Sequence, residues 1–287
     1  MNTQAMPSDA PPLRQASARS ALGLLRALVA NPALVLQHRN VLLLSHMRAN
    51  TSLFGHLLGS HAQVEGYYEL HIGYHSWKSL WRQKLLHFAE HEAKAGARWM
   101  FDKVLHDGHA VSTALLQRPQ VRTIFMLRMP AQSIKSLVVM YRAQSPHLPE
   151  ATVEGATQYY VDRLQTLADT ARTIAPLGFY LDAECLVNDT GPTLQALGAW
   201  LNLNGPIPTE YQTFSRTGQQ KSGDTSSRLK SGKVSRGSND YAEVSVPAAL
   251  MQAAEQAYRQ HRATLLAHCP HQVLDAGCSA AVAGCQT

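Results

Sequence analysis

The chain has no C-x-x-C pair, no internal repeat and no apolar run of membrane-spanning length. Its four cysteines, Cys185, Cys269, Cys278 and Cys285, carry no redox or metal spacing, and a reduced cytoplasmic setting is the simplest account of them. The best membrane candidate, residues 21–36, contains Arg26 and Pro32. Arg26 also interrupts what would be the core of a signal sequence, and no persuasive cleavage site follows. Stable membrane insertion is therefore not expected. Also missing is the nucleotide loop G-x-x-x-x-G-K-[ST] with its lysine, which argues against an ordinary kinase or ATPase. The basic segment 216–236 has six basic residues against one acid, yet no interleaved aromatic residue on which nucleic-acid bases could stack.

What is present fits one enzyme domain: 287 residues, 45% hydrophobic, with a formal net charge of +6. Residues 1–39 read as a flexible leader and a surface helix, 40–270 as the domain, and the Ala/Gly-rich 271–287 as a disordered tail. Strands are expected at 41–44, 64–68, 98–101, 122–127 and 178–181. Helices are expected at 51–60, 74–94, 109–116, 130–141, 153–174, 193–201 and 247–268. Strand and helix alternate through the first two thirds, so the fold class is α/β, a parallel sheet flanked by helices in three layers. The last third reads as helical and loop-rich.

Two stretches carry chemistry. In VLLLSHMRANTSLFGHLLGS an apolar run stops at a polar loop and an amphipathic pattern begins at once. Strand, tight loop and helix N-terminus make an anion cradle, to which Arg48 adds charge and Thr51 and Ser52 add hydroxyl donors. Such a loop often needs one residue with positive φ, and Asn50 is among the few non-glycine residues that tolerate it. In RTIFMLRMPAQSIKSLVVMYR a second buried strand ends at Arg128, Pro130 suits the first turn of a helix, and Ser136 follows eight residues after the arginine.

Together, in this order, the two stretches resemble the sulfotransferases that use 3′-phosphoadenosine-5′-phosphosulfate (PAPS). Arg48-Ala49-Asn50-Thr51-Ser52-Leu53 is similar to that family's [KR]-S-G-T-[ST]-L loop around the 5′-phosphosulfate. Arg128 and Ser136 match the arginine and serine that hold the 3′-phosphate. Ala49-Asn50 replaces Ser-Gly, and Met129 replaces the common aspartate. Residues 98–106, RWMFDKVLH, look like the third strand and its D-K pair, whose lysine, here Lys103, faces the transferring group. FYLDAECLVND resembles a late strand with its acid at Glu184, and GDTSSRLKSGKV resembles the bacterial loop that closes over the adenosine 3′-phosphate.

The resemblance implies a P-loop-like fold and a bacterial-type sulfotransferase. PAPS would be the donor, with a small-molecule, carbohydrate or peptide hydroxyl as acceptor and no metal requirement. Arg48 and Lys103 would be the cations at the phosphosulfate. Arg48, Ala49, Asn50, Thr51, Ser52, Arg128 and Ser136 would bind the donor, with Arg228, Lys230 and Lys233 added from a closing lid. Two residues compete for the base: Glu69, which follows the second strand, and His106, three residues past Lys103. Glu69 is preferred because its position needs no adjustment. The H-x-x-E-H run at 87–91 matches a zinc-peptidase pattern, but fourteen histidines make chance pairs expected. A nucleotide-dependent phosphotransferase and a non-catalytic polyanion-binding protein are the rival functions.

Overall fold

The computed structural model describes residues 37–219, 227–237 and 241–283. Residues 1–36 of the expected leader and surface helix, the centre of the basic lid segment and Cys285 lie outside those residues, while Arg39 opens the first strand. The chain builds a six-stranded, all-parallel sheet in the order β2-β3-β1-β4-β5-β6. Its strands are β1 (Arg39–Ser45), β2 (Val64–Glu65), β3 (Trp99–Val104), β4 (Val121–Leu127), β5 (Gly178–Asp182) and β6 (His271–Val273). The helices that position the site are α1 (Thr51–Gly59), α2 (Trp77–Phe88), α3 (Thr113–Leu116), α4 (Pro130–Gln144) and α5 (Val153–Ile174). Beyond β5 come α6 (Cys185–Asn188), α7 (Thr190–Leu201), α8 (Ser227–Lys230), α9 (Ala248–His268) and α10 (Ala276–Ala283).

The continuous apolar runs of β1 and β4 follow from burial on both faces. In β1, Leu42 and Leu44 join the core that Phe125, Tyr160, Leu164 and Tyr258 share. Val41 and Leu43 point the other way, among Phe54, Leu57, Phe101, Ile124 and Leu197. The sheet thus separates two apolar layers, each closed by helices, as the α/β reading expects. No helix among the described residues is long and apolar enough to cross a membrane.

Three expectations need correction. The second strand stops at Glu65 rather than running to Tyr68. Gly66 has φ +87°, and a Cβ there would lie 2.4 Å from the Phe101 carbonyl oxygen, so only glycine lets the chain leave the sheet. The following helix runs from Trp77 to Phe88, not from 74 to 94. Tyr74 is instead bridged to Val111, and its hydroxyl donates to Asp102 Oδ2 at 2.5 Å. Finally, 271–283 is no loose tail: His271–Val273 pairs with β5, and Cys278 on α10 is fully buried. A short edge strand followed by a small-residue helix lacks the apolar periodicity that marks regular structure.

Candidate functional site

All six strands point the same way, so their carboxyl ends meet along one edge of the sheet. The loop after β1 turns there with two residues in the left-handed region, Arg48 at φ +64° and Asn50 at φ +58°. Asn50 has the conformation expected from its residue type, and its side-chain amide donates to the Ala183 carbonyl at 3.3 Å. α1 then begins without a side-chain cap and without an acid in its first turn. Its leading N–H groups and positive dipole end therefore face the loop. Ala49, Thr51 and Ser52 are buried beneath it.

Charge converges on this loop. Arg48 Nε donates to Ser136 Oγ at 2.8 Å. Arg128 Nη1 donates to the Arg48 carbonyl at 3.0 Å. Lys103, almost wholly buried, donates from Nζ to Ser52 Oγ at 3.3 Å. The structure thus brings Arg48, Ser52, Lys103, Arg128 and Ser136 to one place. Burial, and then the nearby Arg48 charge, lower the pKa of Arg128, while Glu184 acts in the opposite direction. Glu184 is itself buried, which pushes its carboxyl up; one oxygen accepts from the Met129 N–H at 3.0 Å.

The strand ends are held by residues that sequence reasoning did not single out. On α5, Tyr159 donates to the Leu105 carbonyl at 2.6 Å and accepts from the Met47 N–H at 2.8 Å. Tyr160 donates to the Arg128 carbonyl at 2.7 Å. Arg163 donates to the carbonyls of Ser45 and Val104, at 2.9 and 2.7 Å. One helix face therefore ties the exits of β1, β3 and β4 together. His46 sits behind the loop, fully buried, and its Nε2 accepts from the Arg128 N–H at 3.0 Å. That bond assigns the proton to Nδ1, which donates to the Met47 carbonyl at 2.9 Å. Burial holds the ring neutral, with its pKa lowered to about 3. Tyr241, past the basic segment, was also missed; its hydroxyl lies 3.0 Å from Ser136 Oγ. A lone tyrosine in a polar stretch carries no sequence signal.

The two competing bases share one cluster. Glu69, His71, His106 and His109 each offer a polar atom, and these atoms all lie within 4.8 Å of one another. Glu69 is buried and its Oε1 accepts no hydrogen bond, with His71 Nδ1 3.6 Å away. Asp102, the acid before Lys103, anchors this neighbourhood. It accepts from the backbone N–H groups of Leu70 at 3.1 Å and of Lys103 itself at 2.7 Å. Burial raises its carboxyl to about 7 against those bonds.

The basic segment is tied at its start to distant residues, the Arg216 N–H donating to the Tyr67 hydroxyl at 3.0 Å. Arg228 donates to the Gly237 carbonyl, and Lys233 pairs with Glu210 at 3.1 Å. Lys230 packs against Gly218, while Leu229 anchors α8 in the core. In the H-x-x-E-H run, His87 bonds Glu65 at 3.2 Å and stacks on His91, and Glu90 pairs with Arg216.

No protein-family model matches the chain, and no curated protein matches it in sequence. Solved structures do match. A sulfotransferase domain from the curacin biosynthetic pathway superposes with TM-score 0.54 at 18% identity, over 77% of this chain and 97% of that one. A sulfotransferase domain from the Synechococcus PCC 7002 olefin synthase gives 0.51 at 15% identity, over 79% and 95%. With six parallel strands, helices on both faces and a P-loop-like turn after the first strand, the chain has the sulfotransferase fold.

Proposed function

We propose that this protein is a PAPS-dependent sulfotransferase that sulfates an acceptor hydroxyl. The observation carrying the proposal is the gathering of two guanidinium groups at the mouth of a helix N-terminal loop, Arg48 donating to the Ser136 hydroxyl and Arg128 to the Arg48 carbonyl. Gathering like charges is unfavourable unless an anion offsets them, and a donor with phosphate at one end and phosphosulfate at the other supplies two.

In this reading the loop from Arg48 to Ser52 wraps the 5′-phosphosulfate, and Arg128 and Ser136 hold the 3′-phosphate. The acceptor oxygen attacks sulfur in line as the bond from sulfur to the 5′-phosphate oxygen breaks. Arg48 and Lys103 offset the charge that develops on the departing phosphate, and adenosine 3′,5′-bisphosphate leaves. Glu69 takes the acceptor proton, with His106 as its competitor in the same cluster. Most of the rate comes from positioning and preorganised charge, as in phosphoryl transfer. Arg228, Lys230 and Lys233 close over the donor from the basic segment. No metal enters the step.

The test is ligand preference. Adenosine 3′,5′-bisphosphate should raise the melting temperature and ATP–magnesium should not, and the preference should survive moderate salt. Equal stabilisation by any polyanion, collapsing steeply with salt, would instead favour a non-catalytic polyanion binder. A preference for ATP–magnesium would favour a phosphotransferase.

A further inference from the structure

We propose that Glu69, His71, His106 and His109 form a binding site for one divalent first-row transition metal ion of the zinc class. Three imidazoles and a carboxylate are a borderline-soft donor set that suits zinc better than magnesium or calcium. Their polar atoms already lie within 4.8 Å of one another. Zinc–nitrogen bonds of about 2.0–2.1 Å in a tetrahedron place ligand atoms roughly 3.4 Å apart, so the cluster needs to contract by little over 1 Å. The half-exposed His71 and the partly exposed His106 and His109 have room to turn inward.

A further observation points to a ligand. Glu69 is 7% exposed, and its buried Oε1 accepts no hydrogen bond. A buried carboxylate oxygen left in that state is costly, and a cation satisfies it directly. His71 is held at φ +52°, a left-handed conformation that is uncommon outside glycine and that delivers its ring to Glu69. The rings of His106 and His109 approach to 4.5 Å between centroids, close enough for both to face one ion. Arg82 contributes a nearby positive charge that works against binding.

The cluster includes the proposed base, so the two roles of Glu69 exclude each other. A carboxylate bound to a metal cannot accept a proton, and occupancy should suppress transfer. That consequence rests on the sulfotransferase reading; binding itself does not.

Binding is measured without donor or acceptor, on tag-free full-length chain. The expected result is about one zinc equivalent retained after dialysis, and a cobalt(II) adduct with intense four-coordinate absorption. His71→Ala/His109→Ala should weaken affinity at least roughly tenfold, since even removing partners outside the ligand shell costs that much. No retained metal, or equal affinity in the double variant because other histidines hold it, would overturn the site. Should the double variant fail to fold, X-ray absorption on zinc-loaded wild-type protein decides. A mixed shell of imidazole nitrogen and one carboxylate supports the proposal, and an all-oxygen shell overturns it. Loss of metal binding with normal sulfuryl transfer would refute only this inference, whereas metal binding without PAPS chemistry would refute only the function.

Discussion

Arg48 and Ser136, 88 residues apart in sequence, are joined by a 2.8 Å hydrogen bond from Arg48 Nε to Ser136 Oγ. This bond links the loop after β1 to the middle of α4, and so links the two halves of the proposed donor site. Because Tyr241 also meets Ser136 Oγ at 3.0 Å, the serine is a junction rather than a surface hydroxyl. Ser136→Ala is expected to weaken adenosine 3′,5′-bisphosphate binding by roughly tenfold, the value of a hydrogen bond to a charged group. Arg128→Ala should lose about a hundredfold or more, because it removes a full charge as well. Calorimetric titration at fixed salt reads both, and unchanged dissociation constants would remove the 3′-phosphate from this cluster.

The shared cluster of Glu69 and His106 makes the identity of the base an experimental choice between two side chains. Glu69→Gln keeps size and burial but removes the proton acceptor, and kcat should fall by roughly 10²–10⁴ with donor affinity unchanged. His106→Gln should fall far less. The reverse pattern, with Glu69→Gln close to wild type, would assign the proton to His106.

That both residues reach one place could not be read from the sequence. Glu69 arrives because Gly66 takes the chain out of the sheet after two strand residues, and His106 arrives two residues beyond the end of β3. Spacing along the chain encodes neither event. The buried strands were legible because burial on both faces leaves continuous apolar runs, and the turn at Asn50 because few residues accept positive φ. Arg48 at φ +64° was not legible, since nothing about arginine announces that conformation. Nor was β6, whose short exposed strand pairs with β5 through backbone bonds that any side chain permits.

His46 and Asp102 make opposite demands on pH. His46 stays neutral when folded, with a pKa near 3 against 6.5 when unfolded, so the unfolded state binds more protons between those values and acid destabilises the fold. Asp102 is raised to about 7 from 3.8, so over that window the folded state binds more protons and acid stabilises it. Each slope is at most about 1.4 kcal/mol per pH unit, and between pH 4 and 6.5 they oppose one another. His46→Gln removes one of them. Relative to wild type, the variant should gain stability on going from pH 7 to pH 5, as read by urea unfolding. Parallel pH profiles for the two proteins would mean that His46 does not resist protonation in the fold.

A buried ion pair between Arg262 and Asp182 helps to fasten the carboxyl-terminal third to the sheet. Asp182, at the end of β5, accepts from Arg262 Nε at 2.9 Å and Nη2 at 2.6 Å, from the Tyr180 hydroxyl at 2.6 Å and from the Asp275 N–H at 3.0 Å. The pair thus holds α9, β5 and the turn before α10 at one point. Removing a single partner leaves an uncompensated buried charge, so Arg262→Ala should cost about 3–5 kcal/mol in thermal or urea unfolding. Replacing both, as Arg262→Met with Asp182→Leu, should recover most of that loss if the pair specifies geometry rather than supplying net stability. The next residue, Ala183, offers its carbonyl to Asn50 in the loop after β1, so a shift of Asp182 also reaches the proposed site. Arg262→Ala should therefore weaken adenosine 3′,5′-bisphosphate binding as well. A destabilised variant with full ligand affinity would show that the Asn50 contact does not transmit this strain.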